Sequence, residues 1–155
     1  MPQSCFSPRI RSACLTLLGV MAATAVSGSA LAETPQKFDL ICTGSRVTAG
    51  AGQGGAAQQW TGSYRLDLPH MRYCSGDCKM VDRIADVSSD VVTLTNKETP
   101  YRTGSARLFS QYNRATGKLN LSVTARPDSL TTVKDTVDGS CVVQPFSGMP
   151  SNLSW

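Results

Sequence analysis

The sequence is poor in the groups that carry out acid–base and nucleophilic chemistry. It holds a single histidine, His70, in 155 residues. A Ser-His-Asp scheme would have to run through that one imidazole. No G-x-S-x-G stretch occurs, which excludes the nucleophile elbow of the α/β-hydrolases. C-x-x-C-H is absent, which excludes c-type haem attachment. Ligands at the closed spacing of a structural zinc site, or at EF-hand spacing, are also missing. Aromatic residues make up 6% of the chain, too few for the two girdles of an outer-membrane barrel. There is no charge block, no internal repeat and no sustained helical stripe.

The amino-terminal segment is of a different kind. Arg9 and Arg11 precede an apolar stretch from Ala13 to Val26, and Ala30-Leu31-Ala32 supplies a small-x-small cleavage site. This is the pattern of a secretory signal, here residues 1–32, with the folded domain expected at residues 33–155. Arg9-Ile10-Arg11 is not a twin-arginine pair, so the general secretory route is expected, with a periplasmic or extracellular destination. No second apolar run long enough for a transmembrane helix follows. The net charge is +4 over the whole chain. Beyond residue 32 it falls to 13 basic against 11 acidic residues. That balance excludes a nucleic-acid footprint.

Six cysteines become four after cleavage: Cys42, Cys74, Cys78 and Cys141. An even number in a small exported domain reads as two disulfides. Of the three connectivities, Cys74–Cys78 with Cys42–Cys141 is favoured. Gly76 lets the short loop bend, and the long bridge would join the first and last strand-like segments. A loop of roughly 100 residues is worth about 4.7 kcal/mol in the chain-entropy model, against about 2 for the short one.

Alternation of period two dominates the rest. Tyr64, Leu66 and Leu68 share one face, with Arg65 and Asp67 on the other. Leu119 to Val123 repeats the pattern. Weaker signals lie at Phe38–Cys42, Met80–Ala85, Val91–Thr95, Ala106–Tyr112, Thr131–Val137 and Ser140–Phe146. The fold expected is all-β, a single small antiparallel sandwich or barrel of about eight short strands. Val81–Ala85 could instead form one helical turn. Gly117 suits a left-handed position in the turn Arg114–Gly117, and Asp138-Gly139 suits a hairpin turn. Such a turn would place Cys141 away from Val133 and Val137 unless a bulge intervenes. Gly50 to Gln59 is a Gly/Ala/Gln loop; its formal G-x-G-x-x-G match lacks the following helix of a dinucleotide site. Glu33–Gln36 and Pro150–Trp155 are expected to fray.

The sharpest local feature is His70 to Met80. It gathers His70, Met71, Cys74, Cys78 and Met80, a soft donor set suited to Cu(I). The simpler reading is a disulfide-closed turn, with no metal and no cofactor. Asp77, Asp82, Asp86 and Asp90 interleave with Lys79 and Arg83, as on a solvated surface.

A wider frame runs through Phe38-Asp39-Leu40-Ile41-Cys42, Tyr73-Cys74 with Cys78, Gly139-Ser140-Cys141 and Pro145-Phe146-Ser147-Gly148-Met149-Pro150. It resembles a group of small exported proteins of Gram-negative bacteria that share F-D-L-x-C, W-C-x3-C and G-x-C-x3-P-F-x-G-x-P. Tyr73 stands where that group has Trp. The resemblance implies export and an intact single domain, and it implies no activity. A looser likeness in size, cysteine use and β character is to periplasmic lysozyme inhibitors. The function expected is therefore a non-enzymatic binding or envelope-associated module, whose partner is another envelope or secreted protein. An inhibitor of an envelope or host hydrolase and a copper handler are the alternatives.

Overall fold

The computed structural model describes residues 35–50, 54–127 and 131–151. The expected signal segment, its cleavage site and the last four residues lie outside them. All nine strands form one antiparallel sheet. They are β1 (Lys37–Gly50), β2 (Gln58–Asp67), β3 (Arg72–Ser75), β4 (Asp82–Arg83), β5 (Asp86–Val87), β6 (Val91–Pro100), β7 (Ser105–Asn113), β8 (Lys118–Arg126) and β9 (Val133–Gln144). Their spatial order is β4-β3-β2-β1-β9-β8-β7-β6-β5. The sheet is therefore a curled half-barrel and not a two-layer sandwich.

The two margins, β4 and β5, are consecutive in sequence, with only Ile84 and Ala85 between them. The Ile84 amide donates to Met71 O at 2.8 Å on the β3 side, and the Ala85 amide donates to Thr93 O at 2.9 Å on the β6 side. This corner ties one end of the curled sheet shut. Where a helical turn was possible at Val81–Ala85, the chain instead makes two short bridges, because each half finds a free strand edge to pair with.

Apolar residues on the inner face fill that end. Phe38, Leu40, Tyr64, Leu66, Ile84, Val92, Leu94, Tyr112 and Leu119 are buried together. The Phe38 and Tyr112 rings meet tilted, with centroids 6.1 Å apart. Cys42 and Cys141 stand directly opposite each other on β1 and β9 and are joined by a disulfide across 99 residues. Cys74 and Cys78 form the second disulfide.

Two sequence expectations are corrected. Asp138-Gly139 is not a turn. Both residues lie inside β9, where it pairs with β1 on one side and β8 on the other. Two flanking ladders satisfy the backbone on both sides, so the local turn preference loses. With no turn, Val133, Val137 and Cys141 share the inner face. The expected fraying also fails at Gln36, whose carbonyl accepts the Leu68 amide at 3.0 Å. Gly117 keeps its expected positive φ, at 67°, in the β7–β8 turn.

Candidate binding surface at the open end of the sheet

Core residues occupy only half of the long strands. Beyond Cys42, Gly62, Thr95, Ser110, Leu121 and Val137 the six strands β1, β2, β6, β7, β8 and β9 run on with their residues exposed or half-buried. The register aligns Gly50 with Val133, Val133 with Ala125, Ala125 with Ala106, and Ala106 with Thr99. The β6–β7 turn and the strand ends of β1, β8 and β9 therefore lie at this one end. Loops held on a rigid sheet are where recognition is commonly placed.

The inner face here has an apolar floor of Ala106, Leu108, Leu121, Val123 and Ala125, set by alternation along β7 and β8. Beside it Arg46 donates to Asp135 from both Nε and Nη2, the closest approach being 2.5 Å, and Thr48 adds a hydroxyl at 3.1 Å. The Arg46 hydrogen bond holds the Asp135 carboxyl below the usual carboxylate range, against a smaller upward push from burial.

The two long margins of the open end differ. The margin of β6 carries Lys97, Glu98 and Pro100, the residues that natural sheets use to block edge pairing. The margin of β2 is Gln58-Gln59-Trp60-Thr61-Gly62, with no charge and no proline. Its partner β3 reaches only from Tyr64 to Asp67. Among the described residues, no strand and no loop amide pairs with the outer side of Gln58–Gly62.

The residues singled out from the sequence lie elsewhere. His70 ends a short 3-10 turn, Leu68–His70, and its Nδ1 is 2.8 Å from Asp67 Oδ1. Asp67 is fully buried, although alternation put it on the polar face. Arg72 donates to its other oxygen at 2.8 Å, and Lys37 stands 3.4 Å away. Burial pushes this carboxyl up, but the hydrogen bonds of His70 and Arg72 outweigh it and hold it below its ordinary value. Met71 packs against the core, and Met80 is exposed. Cys74 is buried beneath the C-terminal segment, with its Sγ 3.8 Å from Met149 Sδ. Joined to Cys78, it offers no thiolate for Cu(I). No three His, Cys, Asp or Glu side chains converge among the described residues.

Sequence reasoning missed both the β2 margin and the Asp67 cluster. The cluster had a usable signal, since Asp67, His70 and Arg72 lie within six residues. The margin had none, because an unpaired edge is a property of the whole sheet order. Comparison with known proteins finds no matching family model, no matching curated protein and no matching solved structure.

Proposed function

We propose that this is an exported, non-enzymatic binding module that captures an extended segment of another envelope or secreted protein. The observation that carries the reading is the uncharged β2 margin at Gln58–Gly62, with which no strand among the described residues pairs. An exposed edge presents a row of backbone donors and acceptors, and an added strand satisfies them. Side chains of that strand would alternate between the outer and inner faces of the sheet beside β2, which supplies specificity. Trp60, half-buried on the inner face, stands at the boundary.

Export is supported by the signal-like segment, by two disulfides, which suit an oxidising compartment, and by the motif frame shared with small exported proteins. No helix among the described residues is long and apolar enough to cross a membrane. A hydrolase inhibitor is the special case in which the captured partner is that enzyme, and a lysozyme turbidity assay tests it.

The main test is a capture experiment on the exported protein with Gln59→Lys/Thr61→Lys. Charges on the edge should abolish capture. The same charges at Ile41 and Val142, exposed on the outer face of β1 and β9, should leave it intact. Hydrogen exchange at residues 58–62 should slow in the complex, and the connection between β1 and β2 should gain protease resistance. That connection is shorter than the loop expected from Gly50 to Gln59, because Gly50 ends β1 and Gln58-Gln59 open β2. Unchanged exchange at this margin in a captured complex would refute strand addition.

A further inference from the structure

A second surface of the open end lies on the outer face, away from both the β2 margin and the inner floor. It is a cleft of about 230 Å³ lined by Glu98, Ser105, Arg107, Thr124 and Arg126. The register builds it from two rows. Glu98, Arg107 and Thr124 are opposite one another on β6, β7 and β8, and Ser105 is opposite Arg126. One wall is held by close backbone packing. A Cβ on Gly104 would lie 1.7 Å from Arg126 O, so the β6–β7 hairpin rests directly on the β8 strand end.

The cleft carries charges of both signs that are not paired with one another. Glu98 and Arg107 are direct cross-strand neighbours, yet they form no ion pair. Arg107 Nη2 instead donates to Asn96 Oδ1 at 3.2 Å. Arg126 has no acidic partner among the described residues. Lys134, opposite Thr124, adds a further positive charge beside the cleft. Two guanidinium forks with two hydroxyls match a carboxylate or phosphate group. Glu98 is an acceptor only, and it would repel a bare anion while accepting hydrogen bonds from hydroxyl groups. The volume is below the range of about 300–1,000 Å³ typical of drug-sized ligands, so it suits one small unit.

We propose that this cleft binds an anionic sugar unit. Arg107 and Arg126 take its carboxylate or phosphate, Ser105 and Thr124 add hydrogen bonds, and Glu98 accepts from its ring hydroxyls. The site is independent of strand addition at β2, because it uses other strands and the opposite face.

The test is a titration of the 15N-labelled protein with glucuronate, glucose 6-phosphate, inorganic phosphate and glucose. The two anionic sugars should shift the amides of residues 98, 105, 107, 124 and 126; inorganic phosphate should bind more weakly and glucose not at all. The first two arms distinguish a carboxylate from a phosphate source. Arg107→Gln and Arg126→Gln should each weaken the sugar ligand by about tenfold or more. Both positions are exposed, so the variants should fold. Glu98→Gln should weaken the sugar and strengthen inorganic phosphate. No shift at these amides would overturn the proposal. Equal binding of phosphate and sugar phosphate, with no effect of Glu98→Gln, would also overturn it in favour of a bare anion site. Gln59→Lys/Thr61→Lys should leave the titration unchanged, so the two surfaces are judged separately.

Discussion

The Trp60 indole occupies the space that a side chain at Gly139, two strands away, would need. Trp60, Gly44 and Gly139 form one cross-strand row. A Cβ on Gly139 would stand 3.2 Å from Trp60 Cζ3, and one on Gly62 would stand 2.5 Å from Cζ2. Glycine is needed at these places for the room it leaves. Gly139→Val should lower stability by about 1–3 kcal/mol through overpacking. It should also change the Trp60 emission in the folded protein. A urea titration followed by tryptophan fluorescence reads both, and a variant with wild-type midpoint and emission would count against this packing.

The long disulfide should matter more than the short one. Cys42→Ala/Cys141→Ala opens a loop of 99 residues, and Cys74→Ala/Cys78→Ala opens one of four. Chain entropy puts the losses near 4.7 and 2 kcal/mol. Chemical denaturation of the two double variants should rank them in that order. Intact mass of the exported wild-type protein should show four hydrogens missing and an amino terminus at Glu33.

Acid should weaken the fold through two carboxylates. Asp67 and Asp135 both titrate below their ordinary range. A carboxylate with a lowered folded value stabilises the protein above its unfolded value, and that stability is lost as pH falls through the folded one. The denaturation midpoint should therefore drop as pH falls below about 4. Asp67→Asn should flatten part of that slope. At neutral pH it should cost about 1–3 kcal/mol, because Arg72 and His70 lose their anionic partner.

Alkali should act through Tyr73. Burial, reinforced by Asp82 and Tyr64, pushes its phenol up to about 12. A raised folded value means that stability is complete below the unfolded value near 10 and declines as pH rises towards 12. Ultraviolet titration should show a late ionisation step that Tyr73→Phe removes.

Much of the architecture could be read along the chain. Alternation located the inner-face residues of β2 and β8, and the turn Arg114–Gly117 fixed the β7–β8 hairpin. Counting outward from that turn already pairs Arg107 with Thr124 and Ser105 with Arg126, so four of the five residues lining the cleft were latent in the sequence. Glu98 joins them only through the β6–β7 register, which includes an irregularity between Thr93 and Thr95.

Cysteine count, signal pattern and period-two alternation by themselves determined an all-β, disulfide-bonded domain, because each depends on neighbours close in sequence or on simple parity. The disulfide pairing followed from which strand-like segments were first and last. Three features were decided only by tertiary structure. Gly139 lies in a strand and not a turn, because the Trp60 ring and two flanking ladders claim it. Asp67 is buried, because the chain bends at Leu68 and brings His70 and Arg72 over it. Among the described residues the β2 margin has no strand beside it at Gln58–Gly62, because Ile84 and Ala85 join the sheet edges at one end only.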